Sequence, residues 1–281
     1  MSWIAHQIGG LLKVYSRVAP TERGGYRIVR FARRFIPQWR DRFSTPDRIT
    51  LDLDLGTYPD CCMAFGLYEL DTYRVIRRLL KPGMRFVDCG ANIGYFTLLA
   101  AKLVGAAGRV DAIEPDPQNS LRLVDNLQRN GMSDVVRVHD VAVSSQAATV
   151  TLYHPGRGNH GQASLFQSAG DGERYDVKAV RLDELIEDVP DLIKMDIEGA
   201  ELDALRGATK LLQSPNPPKL IIEHNPVSAA AGGYTTEALF RYVLDVQPKY
   251  HLHWIGTTLR RVGSPEELAR VGRQGNVLVS T

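Results

Sequence analysis

Val87-Asp88-Cys89-Gly90-Ala91-Asn92-Ile93-Gly94-Tyr95-Phe96 is the stretch that decides the fold of this 281-residue chain. The apolar run Arg85 to Gly90 predicts a strand, and the helix-period segment Ile93 to Val104 predicts a helix directly after it. A strand that turns into a helix through glycines places the turn at the carboxyl edge of a parallel sheet, where open α/β sheets take their ligands. Gly90 lets the backbone turn sharply and approach a ligand without a Cβ in the way. Gly94 lets the following helix pack close to the strand.

The same alternation continues outward from this stretch. Arg109 to Glu114 predicts a second strand, followed by a helix from Pro117, a residue suited to a first helical position, to Asn130, with Gly131 at its end. Val135 to His139 predicts a third strand. Leu192 to Asp196, a helix from Ala200 to Leu212, and Leu220 to Glu223 resume the pattern. A helix near Thr236 to Leu244 and strands near His251 to Ile255 and Asn276 to Val279 finish it. Strands alternating with helices predict a parallel sheet covered on both faces, a doubly wound α/β fold. Between Val141 and Arg181 the alternation pauses. Thr149 to Tyr153 and Asp176 to Val180 read as short strands around a polar, glycine-rich connection, the kind of long loop that usually carries function.

The chemistry gathers at the strand ends. Asp88 beside the glycine turn disfavours a pyrophosphate and favours a cationic ammonium group, which the amino-acid part of S-adenosylmethionine supplies. Glu114, followed by Pro115 at the tip of the second strand, can accept both hydroxyl protons of a ribose diol. A dinucleotide fingerprint needs G-x-G-x-x-G, and Asn92 stands where its second glycine belongs, so a nicotinamide cofactor is disfavoured. Asp140 and Val141, at the end of the third strand, are placed to meet an adenine ring. The fourth strand ends in Asp196-Ile197-Glu198-Gly199-Ala200-Glu201. Asp196 and Glu198 are candidates to reach the transferred methyl group and its acceptor, whereas Glu201 reads as a helix cap. His224 at the end of the fifth strand is a candidate general base, and Glu223 with Asp196 could hold a divalent cation such as Mg²⁺.

Composition narrows the class without naming an acceptor. The hydrophobic share of 44% and charged share of 23% are those of an ordinary globular protein, and a net charge of +2 argues neither for nor against a nucleic-acid partner. Cys61, Cys62 and Cys89 have neither zinc-ligand nor disulfide spacing. No apolar run reaches the roughly 18 residues of a membrane span, and the N-terminus does not begin like a signal peptide, so a cytoplasmic location is expected. Residues 1–60 read as a basic helical arm ahead of a domain at 61–281. Within the arm, Tyr26, Ile28, Val29, Phe31 and Phe35 recur at helical intervals among arginines. Such a surface packs on the main domain, or meets a membrane or an acidic carrier of the substrate.

In their order and spacing these motifs resemble the FkbM-family methyltransferases. The resemblance rests on Asp88 to Thr97, Ile113-Glu114-Pro115, Leu182-Asp183-Glu184-Leu185, Ile193 to Glu201 and Glu223, with Gly66-Leu67-Tyr68-Glu69 ahead of the first strand. It spans roughly Gly66 to Asn225. It implies a class I methyltransferase fold, Rossmann-like, with seven strands of which the last is antiparallel, and S-adenosyl-L-methionine at the carboxyl edge. Asp88, Gly90, Ala91, Asn92, Tyr95, Phe96, Glu114 and Asp196 would line that site by motif match, with Tyr68 and Glu69 closing it. The stretch Asn159-His160-Gly161 and Ser164 would lie near the acceptor. The implied reaction is O-methylation of a sugar, glycan, lipid or secondary-metabolite hydroxyl, with Asp196 or His224 as base and Glu198 orienting the acceptor. Two other functions fit less well: a binding module that has lost turnover, and a nucleic-acid methyltransferase using the basic arm.

Overall fold

A computed structural model describes residues 40–45, 47–57, 59–64, 66–154 and 173–281. The chain opens with strands β1 (Arg40–Ser44) and β2 (Thr50–Asp54) and helices Asp60–Ala64 and Leu70–Leu79. Then come β3 (Arg85–Cys89), helix Tyr95–Val104, β4 (Arg109–Ile113), helix Pro117–Asn130 and β5 (Val136–His139). Three outlying strands follow: β6 (Ala142–Val143), β7 (Ala148–His154) and β8 (Glu173–Val180). The alternation resumes with β9 (Leu192–Met195), helices Glu201–Arg206 and Thr209–Leu212, β10 (Lys219–His224) and helices Pro226–Ala231 and Thr236–Val246. Strands β11 (His251–Trp254), β12 (Arg260–Val262) and β13 (Gly275–Ser280) complete it, with helix Pro265–Ala269 before the last.

The central sheet has the order β5-β4-β3-β9-β10-β13-β11-β12. Strands β5, β4, β3, β9 and β10 pair in parallel, and β13 enters antiparallel between β10 and β11. These are the expected seven strands with the last antiparallel. An eighth, β12, folds back on β11 at the edge. The direction of winding reverses between β3 and β9, so a crevice opens at their carboxyl ends. Both faces are covered, which is why the strands are near-continuous apolar runs. Phe86, Val110, Leu192 and Ile221 pack on one face under helix Tyr95–Val104, while Val87, Ile113, Ile193 and Ile222 pack on the other.

Local chemistry explains the boundaries. Asp116 caps helix Pro117–Asn130 by accepting from the N–H groups of Gln118 and Asn119 at 2.8 and 3.3 Å, and Gly131 ends it in the left-handed conformation. Gly94 does serve close packing, but against a helix and not the strand: a Cβ there would lie 2.5 Å from Leu123 Cδ1. The expected helix Ala200 to Leu212 is broken into two. A Cβ on Gly207 would lie 2.0 Å from the Ser144 carbonyl oxygen, so the chain there is pressed against the segment after β6.

The N-terminal region departs from the expected helical arm. Arg40–Asp54, expected in the helical arm, is an antiparallel hairpin. Its inner residues Leu51 and Leu53 are fully buried in the core. Asn130 and Asn126 accept from the backbone N–H groups of Thr50 and Asp52 at 2.9 and 3.2 Å, tying the hairpin to helix Pro117–Asn130. The segment before residue 40, expected to be a basic helix, and the Asn159-His160-Gly161 and Ser164 stretch lie outside the described residues. No helix among those described is long and apolar enough to cross a membrane. Leu53→Ala is expected to destabilise the whole domain by about 2–5 kcal/mol, the cost of emptying a core site. Chemical denaturation checks this; an unchanged midpoint would show the hairpin to be an appendage.

Candidate active site

The first βα turn is built from conformations that most side chains resist. Gly90 has a φ of +81°, and a Cβ on it would lie 2.0 Å from the carbonyl oxygen of Asp196. Glycine is required there because the turn after β3 crosses the tip of β9, a closer constraint than ligand approach. Asn92 follows at φ 50°, with its Oδ1 accepting from the Ile93 N–H at 2.7 Å. The Asn92 N–H donates to Glu114 Oε2 at 2.7 Å, and the Asp116 N–H donates to Glu114 Oε1 at 2.9 Å. Glu114 is thus clamped at the tip of β4, only 4% exposed, with acceptor capacity left on both oxygens. Burial pushes its carboxyl up to about 7, against the opposing pull of those two N–H groups. Glu114, Pro115, Gly90, Asn92 and Val141 line a cavity, with Leu152 of β7 on its wall.

A second cavity shares Gly90, Asn92, Asp196 and Glu198 with the first and extends over β10 and β13. Tyr68, Tyr95 and Phe96 form an aromatic wall, with Tyr95 edge-on to both neighbours at centroid distances of 5.6 and 5.2 Å. Ala91 and Glu69 also face it. Four non-glycine residues among those described have positive φ. Three of them, Glu69, Asn92 and Glu198, line this cavity. Strained backbone of this kind concentrates at functional sites because the surrounding structure must hold it.

The electrostatic centre is a residue that sequence reasoning did not single out. Lys194, 2% exposed, donates to Asp196 Oδ2 at 2.9 Å and stands 4.9 Å from the centre of the Phe96 ring. Asp88 is its register partner on β3. The Asp196, Glu69 and Asp88 carboxylates together hold the lysine well above its usual pKa, overcoming burial. The turn after β9 is locked from below by Glu201. Its carboxylate accepts from the Ile197 N–H at 3.0 Å, from the Gly199 N–H at 3.0 Å and from Tyr234 OH at 2.5 Å. Glu201 therefore anchors the acidic turn, beyond the capping role expected. Glu198 accepts from Ser228 Oγ at 3.1 Å. Burial, and then the Asp196 carboxylate, push Glu198 up to about 7. Glu223 lines the same cavity and is pushed up to about 9 by burial and by the carboxylates of Asp196 and Glu198.

Three expected site residues stand elsewhere. His224 is fully buried on the opposite face of the sheet, edge-on to Trp254 at 5.6 Å and beside Phe240, so it cannot serve as base in the cleft. Alternation along β10 sends Glu223 to one face and His224 to the other. Asp88 lies beneath the turn, accepting from Thr97 Oγ1 at 2.6 Å, and lines neither cavity. Asp140 is exposed, with one oxygen taken by Ser120 Oγ; its neighbour Val141 faces the first cavity in its place. Among the described residues, no three of His, Cys, Asp and Glu converge closely enough to hold a metal ion. The Asp196 carboxylate, expected as a Mg²⁺ ligand, is held by Lys194 instead. Beyond Lys194, sequence reasoning missed Gln274 and Asn276, which enter the second cavity from the start of β13.

Comparison with known proteins gives this geometry a family. Residues 88–255 match the model described as the methyltransferase FkbM domain. The ribosomal protein L11 methyltransferase of Chloroflexus aurantiacus is 30% identical over 158 residues, covering 52% of this chain and 46% of that protein. Protein-L-isoaspartate O-methyltransferase 1 of Arabidopsis thaliana is 31% identical over 92 residues, 33% of this chain and 36% of that protein. The chain thus spans less than half the length of these relatives. The crystal structure of methyltransferase FkbM from Methylobacillus flagellatus KT aligns at 22% identity with a TM-score of 0.47, covering 77% of this chain and 54% of that one. With the family model matching from Asp88 at the end of β3 to Ile255 past β11, through Glu114, Asp196 and Glu223, the chain belongs to the FkbM methyltransferase family.

Proposed function

We propose that the chain transfers the methyl group of S-adenosyl-L-methionine to a hydroxyl oxygen of a sugar, glycan, glycolipid or secondary-metabolite acceptor. The observation that carries the cofactor half is Glu114, buried at the tip of β4 and fixed by two backbone N–H groups with acceptor capacity to spare. A ribose diol supplies the two donors that such a carboxylate lacks. Val141 and Leu152 give the same cavity an apolar wall suited to an adenine ring. When bound, S-adenosylmethionine supplies an electrophilic methyl carbon. Glu69, Asp196 and Glu198 surround the second cavity with carboxylates that favour the cationic end of such a cofactor.

For the transfer itself, an alcohol needs its proton removed as the new bond forms, and a placed base contributes about two to four orders of magnitude. Glu198 is the group for this role. It faces both cavities, its backbone is held in the left-handed region, and its carboxyl sits near neutrality. Asp196, engaged by Lys194, orients the acceptor and keeps the local charge balanced. Glu198 accepts a proton only when ionised, so the rate rises as pH increases through about 7 and levels off above it.

A second reading, methylation of a protein, draws on the names of the ribosomal protein methyltransferases among the relatives. Incorporation of labelled methyl into ribosomal protein L11 in place of glycans would favour it.

Two measurements test the first reading. Calorimetric titration with S-adenosylmethionine is expected to show saturable binding, weakened about tenfold to a hundredfold by Glu114→Ala. Equal affinity in the variant would remove Glu114 from the cofactor site. Glu198→Gln is expected to lower kcat by about 10²–10⁴ and abolish the limb of the pH profile near 7. A variant that keeps both wild-type kcat and that limb would assign the base elsewhere.

A further inference from the structure

Helix Pro226–Ala231 starts directly at the end of β10, and its own first turn fixes where it begins. Asn225 Oδ1 accepts from the Val227 and Ser228 N–H groups at 3.1 and 3.3 Å, with Pro226 as the first helical residue. Ser228 and Gly232 stand four residues apart and so share one face. Both meet the acidic turn after β9. Ser228 Oγ donates to Glu198 Oε2 at 3.1 Å, and a Cβ on Gly232 would lie 2.1 Å from the Gly199 carbonyl oxygen. Gly232 has an ordinary helical φ of −74°, so glycine is needed there for space and not for conformation. One face of the helix is thus seated on two consecutive residues of the turn, through a hydroxyl at Glu198 and backbone against backbone at Gly199.

Glu198 is therefore held twice, by different means. Its main chain, at a φ of 52°, is bracketed by the Glu201 carboxylate, which accepts from the N–H groups of Ile197 and Gly199. Those bonds set where the side chain starts but not where its carboxyl group ends, because a glutamate has several rotatable bonds beyond Cα. The Ser228 hydroxyl supplies the second constraint. Charges act on the carboxyl from elsewhere: Asp196, Glu201 and Glu223 repel it and Lys194 attracts it. Those groups belong to β9, the turn and helix after it, and β10, whereas Ser228 reaches Glu198 from the helix beyond. A hydroxyl suits this position. It donates a hydrogen bond without adding charge, whereas a lysine or arginine there would hold the carboxylate ionised and weaken it as a base.

We propose that Ser228 is a positioning residue for methyl transfer, its hydroxyl fixing the direction in which the Glu198 carboxylate meets the acceptor. This rests on the assignment of Glu198 as base and adds the residue through which helix Pro226–Ala231 acts on the reaction. The bond also favours the ionised carboxylate, so without it Glu198 ionises at higher pH and the rise in rate moves the same way.

The test follows labelled methyl from S-adenosylmethionine to an array of neutral glycans, with the full-length wild-type protein and with Ser228→Ala, Ser228→Val and Ser228→Thr. Valine and threonine share a shape, so that pair isolates the hydroxyl. Alanine and valine are expected to lower kcat about tenfold or more, the effect of one hydrogen bond to a charged group, with KM for S-adenosylmethionine unchanged. They are also expected to move the limb of the pH profile up by about one pH unit, and threonine to restore both. Thermal melting is measured on the same preparations, and if Ser228→Val fails to fold, Ser228→Cys takes its place as a weak donor of similar size. A loss of stability or a rise in KM with kcat and the limb unmoved would leave Ser228 a structural role only and overturn the proposal. Equal kcat in the valine and threonine variants would overturn it too. Failure of the underlying reading shows in the wild-type protein alone: no methyl transfer, or no limb near 7, removes Glu198 as base and the role of Ser228 with it.

Discussion

The site is organised around one buried cation. Lys194 sits in the middle of β9, between apolar neighbours, with almost no contact with solvent. An ammonium group there costs several kcal/mol unless carboxylates meet it. Asp196 meets it directly, Asp88 flanks it from β3, Glu69 approaches from the segment before helix Leu70–Leu79, and the Phe96 ring lies beside it. Three separate parts of the chain therefore converge on one point at the carboxyl edge of the sheet. That convergence joins the two cavities through Asp196, the one of these carboxylates that lines both.

Around this centre, backbone geometry does the positioning. The turn after β3 touches the tip of β9 through Gly90 and Asp196, so neither turn can move without the other. Glu201 pins the turn after β9 through two of its N–H groups, and Tyr234 ties Glu201 to the segment after helix Pro226–Ala231. Strain at Asn92 and Glu198 is tolerated because these contacts surround it. In the proposed reading, function divides along the sheet, with ribose recognition at the end of β4 and methyl transfer at the end of β9.

Much of this was legible in the sequence, for physical reasons. Apolar runs buried on both faces mark a parallel sheet, and the acid one strand beyond the glycine turn marked Glu114. The misses have equally specific causes. His224 was read by its chemistry alone, when period-two alternation already required that it and Glu223 face opposite sides. Lys194 stood in view as a charge inside an apolar strand, a signal that a carboxylate partner must be near. Asp88 carries the right charge, but its direction depends on the pleat of β3, and it packs under the turn. Nothing local marks Gln274 and Asn276, because they reach the cleft only through the antiparallel insertion of β13. The hairpin Arg40–Asp54 has polar residues alternating with Leu51 and Leu53, a strand pattern overshadowed by the arginine-rich segment before it.

The most direct test of the account is a crystal structure of the protein grown with S-adenosylhomocysteine. The account predicts the ribose hydroxyls on Glu114, the adenine between Val141 and Leu152, and the sulfur facing the turn Asp196–Glu198. Density for the nucleoside over β10 and β13, or anywhere away from Glu114, would contradict it.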